Sequence, residues 1–230
     1  MRRWPFVLLL LTLPVIGRAA PRSNAAKALH DLFASAWDQD MQERPEDASE
    51  LGDRRWNDRW MDRSPEGFAR RDALNKNVLA RLAKIDRKQL SKTDQLNYDL
   101  FQKRYADHIE QYKGRWFLLN FNQREGPQTS DDLGNSLRFE TVKDYEDWLA
   151  RLRAIPTALD QFTALLREGI RKRMVHPRVI MERIPAQIDK QIVSDPTQSG
   201  FYKPFKQLPS SIPADEQEKL RADCVKAIHE

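Results

Sequence analysis

From about residue 24 onward, apolar side chains recur every third or fourth position, and this period of about 3.6 residues is the mark of helices with one buried face. Ala25, Leu29, Leu32, Phe33, Ala36, Trp37 and Met41 form such a stripe, which Pro45 stops. Ser64-Pro65 opens the next helix, with Ser64 as N-cap and Pro65 in the first turn. Its stripe is Phe68, Leu74, Val78, Leu82 and Ile85. Ser91-Lys92-Thr93-Asp94 resembles a capping box and starts a helix carrying Leu96, Leu100, Phe101, Tyr105, Ile109 and Tyr112, which Gly114 closes. Thr141-Val142-Lys143-Asp144 is a second such start, with Val142, Tyr145, Trp148, Leu149 and Leu152 inward. Pro156 breaks that helix and begins one with Leu159, Phe162, Leu166 and Ile170 inward. Pro177 precedes a helix bearing Val179, Ile180, Ile184, Ile188 and Ile192, with a kink expected at Pro185. Residues 194–212 read as a loop, and a last helix begins near Pro213 with Ala222, Val225 and Ile228 on its apolar face. The fold class this predicts is all-α, built from antiparallel helical hairpins in a bundle.

One stretch departs from the pattern. Residues 115–140 form an irregular segment: Arg115 to Phe121 has no helical period and reads as extended, and the polar run after it contains the turn signal Gly126-Pro127. A polar loop of this length inside a helical domain is a common place for function. Asn122, Gln123, Gly126 and Pro127 are therefore the substrate-cleft candidates, since amides offer donors and acceptors to a peptide backbone. The competing reading is that Asn122 and Gln123 satisfy backbone groups at a helix junction.

Residues 1–19 have the three parts of an export signal: Arg2 and Arg3, an apolar run from Phe6 to Ile16, and small residues at Gly17 and Ala19. The apolar run is too short to span a bilayer of roughly 30 Å. Cleavage after Ala19 implies a periplasmic or secreted protein with no membrane anchor. It also removes three of the 39 basic residues, leaving 36 against 34 acidic ones. Those charges are interspersed, so no nucleic-acid partner is expected. Cys224 is the sole cysteine, so a packed core rather than a disulfide must hold residues 20–230.

Catalytic chemistry is hard to find. His30, His108, His176 and His229 are the only histidines, and no two are four apart. Asp31, Asp38 and Asp40 near His30 read as a solvated acidic face. Cys224 with His229 lacks a third, orienting group, and Ser130 and Ser136 have no identifiable base. Arg55, Trp56, Arg59 and Trp60 read as arginine–tryptophan packing within the fold. No catalytic residue and no metal ligand are assigned.

Several segments in order resemble a bacterial family, domain of unknown function 885. They are Leu51-Gly52-Asp53 through Asn57-Asp58-Arg59, Asp94 through Asn97-Tyr98-Asp99-Leu100, and Asn122-Gln123 with Gly126-Pro127. Thr141-Val142 with Asp144-Tyr145, Gly169-Ile170 through Pro177-Arg178, and Phe201 through Phe205 follow. The resemblance implies an exported or lipid-anchored helical protein related to zinc-dependent oligopeptidases. It also implies that a His-Glu-x-x-His metal motif lies in a C-terminal half that this sequence lacks. The last helix reads as cut before any stop signal, so the sequence is expected to be the truncated N-terminal part. On that reading zinc is expected only in full-length relatives, with no cofactor in this chain. The partners implied are a peptide substrate or the missing half, with self-association through exposed apolar surface. A stand-alone helical binding module is the alternative.

Overall fold

The computed structural model describes residues 24–119 and 121–229; the expected export signal lies outside them. Among the described residues there are helices, turns and no strand, so the chain is all-α. The α-helices are α1 (Asn24–Glu43), α2 (Pro45–Glu50), α3 (Pro65–Leu82), α4 (Lys92–Lys113), α5 (Val142–Arg153), α6 (Ile155–Lys172), α7 (Arg178–Met181), α8 (Pro185–Asp189) and α9 (Ala214–His229). None is long and apolar enough to cross a membrane.

Local chemistry sets most of the boundaries. Ser64 Oγ accepts from the Gly67 amide at 3.0 Å at the start of α3. Gly67 is also a steric requirement, because a Cβ there would sit 2.5 Å from the Asp62 carbonyl oxygen. Ser91 Oγ accepts from Asp94 N at 3.1 Å to start α4. At α5 the Asp144 carboxylate accepts from the Thr141 and Glu140 amides at 2.8 and 3.1 Å. Pro45 and Pro156 stop one helix and sit in the first turn of the next.

Two cores follow. In the first, α1 packs on an antiparallel α3–α4 hairpin around Leu29, Leu32, Val78, Leu82, Tyr98 and Tyr105. The Tyr98 hydroxyl donates to the Leu82 carbonyl at 3.3 Å, so the start of α4 meets the end of α3. Phe68, at the other end of α3, stacks on Phe117 just beyond α4 at 4.5 Å. In the second core α5 and α9 enclose Tyr145, Trp148, Leu149, Leu152, Phe205, Leu220 and Cys224. Full burial of each large side chain contributes about 1.5–3 kcal/mol. Between the cores lie two small clusters, one of Phe68, Leu118 and Leu165 and one of Phe121, Phe162 and Ile184.

Several expectations are corrected. Leu96 and Leu100 are 58% and 60% exposed; Tyr98, Tyr105 and Ile109 carry the buried side of α4. In α6, Leu159 and Ile170 are exposed, and Leu165 and Gly169 are buried beside Phe162. The last helix buries Leu220, Cys224 and Ala227, leaving Ala222 exposed. Pro185 ends the helix before it, giving two short helices in place of one kinked one, with Ile184 anchoring the break against Phe121 and Phe162. Residues 194–212 contain two 3-10 turns, and one of them puts Tyr202 and Phe205 into the second core.

The segment 115–140 is also more regular than expected. Trp116–Leu119 and Pro127–Asn135 are 3-10 helices, and Arg115, at φ +57°, turns the chain out of α4. The chain cannot run straight here. Phe117 must stack on Tyr112 and Phe68, while Leu118 beside it reaches Leu165.

Candidate functional site

A cleft of about 820 Å³ opens between the two cores. One wall is the start of α3, the end of α4 and the aromatic pair Trp116 and Phe117. The other is the segment 124–136 and the first turns of α6. α2 and residues 60–63 close one end, with Trp60 and Arg63 facing in.

The α3 wall is set by helical spacing. Phe68, Arg71, Asp72 and Asn75 fall at i, i+3, i+4 and i+7, so they share one face and all line the cleft. The charges on the walls are mostly paired. Glu46 accepts from the Met61 amide at 2.9 Å and pairs with Arg63 at 3.0 Å. Asp72 is held by Lys76 one turn on. Arg63 also lies over the Phe162 ring at 4.7 Å.

Arg71 is different. It is 8% exposed, and neither Nη1 nor Nη2 makes a hydrogen bond. Desolvation pushes its guanidinium down to about 10, with Glu43 opposing and Arg70 assisting. His108 also lines the cleft, and its Nδ1 is buried without a partner. Burial first, then Arg44 and Arg104, hold its imidazole below the ordinary histidine value.

The proposed cleft loop divides. Gly126 and Pro127 line the cleft; Asn122 and Gln123 do not. Asn122 Oδ1 accepts from the amides of Arg124 and Glu125 at 2.8 and 3.3 Å, closing its own turn. The Gln123 carbonyl accepts from Gln187 Nε2 at 3.0 Å, which ties the loop to α8. Gly126 is needed where it stands: at φ +152° a side chain is strained, and a Cβ would meet the Phe121 ring at 2.4 Å.

The remaining candidates fall elsewhere. His30 pairs with Asp94 at 3.1 Å, and His176 Nε2 lies 2.7 Å from the Leu119 carbonyl. Asp40, read as part of a solvated face, is buried and accepts from the Tyr105 hydroxyl at 2.9 Å and Arg104 at 3.1 Å. Cys224 is buried in the second core, and desolvation pushes its thiol up to about 12. Arg55 and Arg59 lie over Trp56 at 5.8 and 5.3 Å, as packing within the fold requires. Among the described residues no three His, Cys, Asp or Glu side chains group to hold a metal ion.

Arg71, Asp72 and Asn75 were missed as site residues, although the signal was present. A line of three- and four-residue steps from Phe68 to Val78 passes through them, and polar residues on a buried stripe call for a partner, whether the protein's own or a ligand's. No curated protein matches the chain. One family model matches residues 45–230, a span that holds all the residues lining the cleft except Arg44. Its members are described as bacterial proteins of unknown function (DUF885), and the chain belongs to that family.

Proposed function

We propose that this chain is the scaffold and substrate-cleft half of an exported family protein, and that the cleft takes a short peptide. The observation that carries this reading is the pairing on one surface of an aromatic wall with polar atoms that the fold leaves unused. Phe68, Tyr112, Trp116 and Phe117 offer planar apolar surface for side chains. Arg71, Asn75 and His108 face the same space and offer groups for a peptide's polar atoms. Gly126 and Pro127 form part of the opposite rim.

Zinc chemistry, which the family resemblance implies, requires two imidazoles on one helix face with a carboxylate to deprotonate water. The histidines here stand on α1, on α4, before α7 and at the end of α9, so this donor set does not fit the ion. In this proposal the metal ligands belong to a C-terminal half outside this sequence, and residues 1–19 direct export to the periplasm. A second reading, a stand-alone binding module, draws support from the cleft being built from both cores of this one chain.

Calorimetric titration of the chain with short peptides that carry one aromatic residue tests the cleft. Saturable binding is expected, and no binding by any peptide would end the reading. Metal-dependent peptide turnover by these 230 residues, abolished by a chelator, would overturn the division of labour between the two halves.

A further inference from the structure

The unused polar groups on the cleft are not equivalent. Arg71 is the cation among them, more than nine-tenths buried; the acids Glu46 and Asp72 on the same cleft each also keep one buried oxygen without a hydrogen bond. A guanidinium in that position ordinarily consumes its donors on carbonyls or carboxylates, because desolvation without partners is costly. The nearest carboxylate oxygen, Glu43 Oε2, is 3.6 Å from Nη1. Glu43 is already committed, since Arg70 donates to it through Nε at 2.9 and 3.2 Å and through Nη2 at 3.0 Å. The Arg71 Cζ lies over the Phe68 ring, 4.5 Å from its centroid. The cation is therefore packed against Phe68, and its Nη1 and Nη2, nearly closed to solvent, make no hydrogen bond although the residue lines the cleft.

Two donors on one planar group match the two oxygens of a carboxylate, the geometry in which arginine binds acids most strongly. Asn75, one turn further along α3, supplies an amide at the same wall. Phe68 and Phe117, stacked at 4.5 Å, give the apolar neighbour that an aromatic ligand group would use. We infer that Arg71 is the receptor for a carboxylate of the ligand, with Asn75 beside it and the Phe68–Phe117 stack seating the adjoining apolar group. That the carboxylate belongs to a peptide rests on the proposed function; that Arg71 receives a carboxylate does not. The acid can be a peptide's C-terminus or an acidic side chain.

The test uses the full chain and its Arg71→Gln and Arg71→Lys variants, with thermal melting to verify folding. N-acetyl-Phe-Ala is compared with its C-terminal amide by calorimetry. The free acid should bind about tenfold or more tightly, the worth of a charge-assisted hydrogen bond. In Arg71→Gln the two should become equal, and Arg71→Lys should retain part of the preference. Simple damage to the cleft would weaken both ligands together and leave their ratio intact. N-acetyl-Phe-Glu-amide separates the sources: if it binds as the free acid does, a side chain suffices, and if it binds as the amide does, the C-terminus is required.

Phenylacetate and phenylacetamide, followed through the fluorescence of cleft residues Trp60 and Trp116, test the site without a peptide. Phenylacetate binding that Arg71→Gln abolishes, with no peptide bound, would uphold the carboxylate site and end the peptide reading. Peptides bound with no preference for the acid, or a preference that survives Arg71→Gln, would overturn the carboxylate site and leave the peptide reading standing. Binding of neither class of ligand would overturn both.

Discussion

The junction of α2 with α5 and the α3 wall of the cleft each bury an arginine, and they treat it in opposite ways. Arg151 is wholly buried on α5, yet its side chain donates to the carbonyls of Arg59, Trp56 and Pro45 and to Ser49 Oγ, at 2.9, 3.0, 3.2 and 2.7 Å. It staples α2 and residues 56–59 to the second core, and its own carbonyl accepts from Trp60 Nε1 at 2.8 Å. Arg71 is buried nearly as deeply and makes none of these bonds. Desolvation pushes each guanidinium down to about 10, so the two sites meet a similar electrostatic cost. They differ in what offsets it: Arg151 spends Nε and Nη2 on the protein's own acceptors and leaves only Nη1 unpartnered, whereas Arg71 has no acceptor for either Nη1 or Nη2.

The comparison breaks most readily at Arg151. Replacing it with Met fills much of the space but leaves the Arg59 and Pro45 carbonyls and the Ser49–Asn57 pair without their shared donor. Leaving a buried neutral acceptor unsatisfied costs about 1–3 kcal/mol, and Arg151 serves several of them. Urea denaturation of Arg151→Met should show a loss of at least that size; a loss below about 1 kcal/mol would mean that Arg151 is not a staple.

The next largest effect lies on the opposite rim of the cleft. Gly126→Ala forces a side chain into a backbone region open almost only to glycine, against Phe121 and Gln128. The strain should cost about 1–3 kcal/mol. The same denaturation series measures it. A cost under about 0.5 kcal/mol would show that the rim yields, and Arg71 would then face a cleft without a fixed far side.

Arg71→Met should cost nothing and is expected to gain about 1 kcal/mol, because the lost charge makes no hydrogen bond, its distant partner Glu43 keeps Arg70, and an apolar group of similar length needs no solvation. Urea midpoints of the variant and the wild type decide this. A loss of about 2 kcal/mol would mean that the ion pair with Glu43 and the Phe68 contact already complete the site, and the contrast with Arg151 would disappear.

What was legible in the sequence follows from how far each signal reaches. Ser64, Ser91, Asp144 and Pro156 act on backbone groups within one turn, so the helix starts could be read directly. Which side of a helix is buried depends on neighbours that come from elsewhere in the chain. Leu96 and Leu100 satisfied the period yet are exposed, because α3 presents itself to Tyr98 and Tyr105 instead. Arg151 shares a face with Trp148 and Leu152, and Arg71 shares one with Phe68. Both stripes are legible from their apolar members, while the arginines between them read as part of the interspersed surface charge. In the segment 115–140, the turn signal Gly126-Pro127 marks where the chain enters the 3-10 helix Pro127–Asn135. The orientations of Asn122 and Gln123 depend on bonds within the folded turn and on Gln187, 64 positions from Gln123, a partner that no local pattern announces.

The smallest effect tests whether Arg71 shares its field with the rest of the wall. His108 is held below the ordinary histidine value by burial, then by Arg44 and Arg104, with Asp40 and Asp107 opposing. Arg44 also depresses Arg71, so one cation acts on both groups. The fold favours the neutral imidazole. As pH falls past about 6.5 the unfolded chain takes up this proton before the folded chain does, and stability is lost until the folded group also titrates. His108→Gln should remove that part of the acid slope and leave stability above pH 7 unchanged, as urea midpoints across pH 5–8 will show. A carboxylate seated on Arg71 adds negative charge to the same field, so phenylacetate should raise the His108 titration midpoint seen by NMR in the wild type and not in Arg71→Gln. An unmoved midpoint while phenylacetate is bound would place the bound carboxylate away from the stretch of wall that His108 senses.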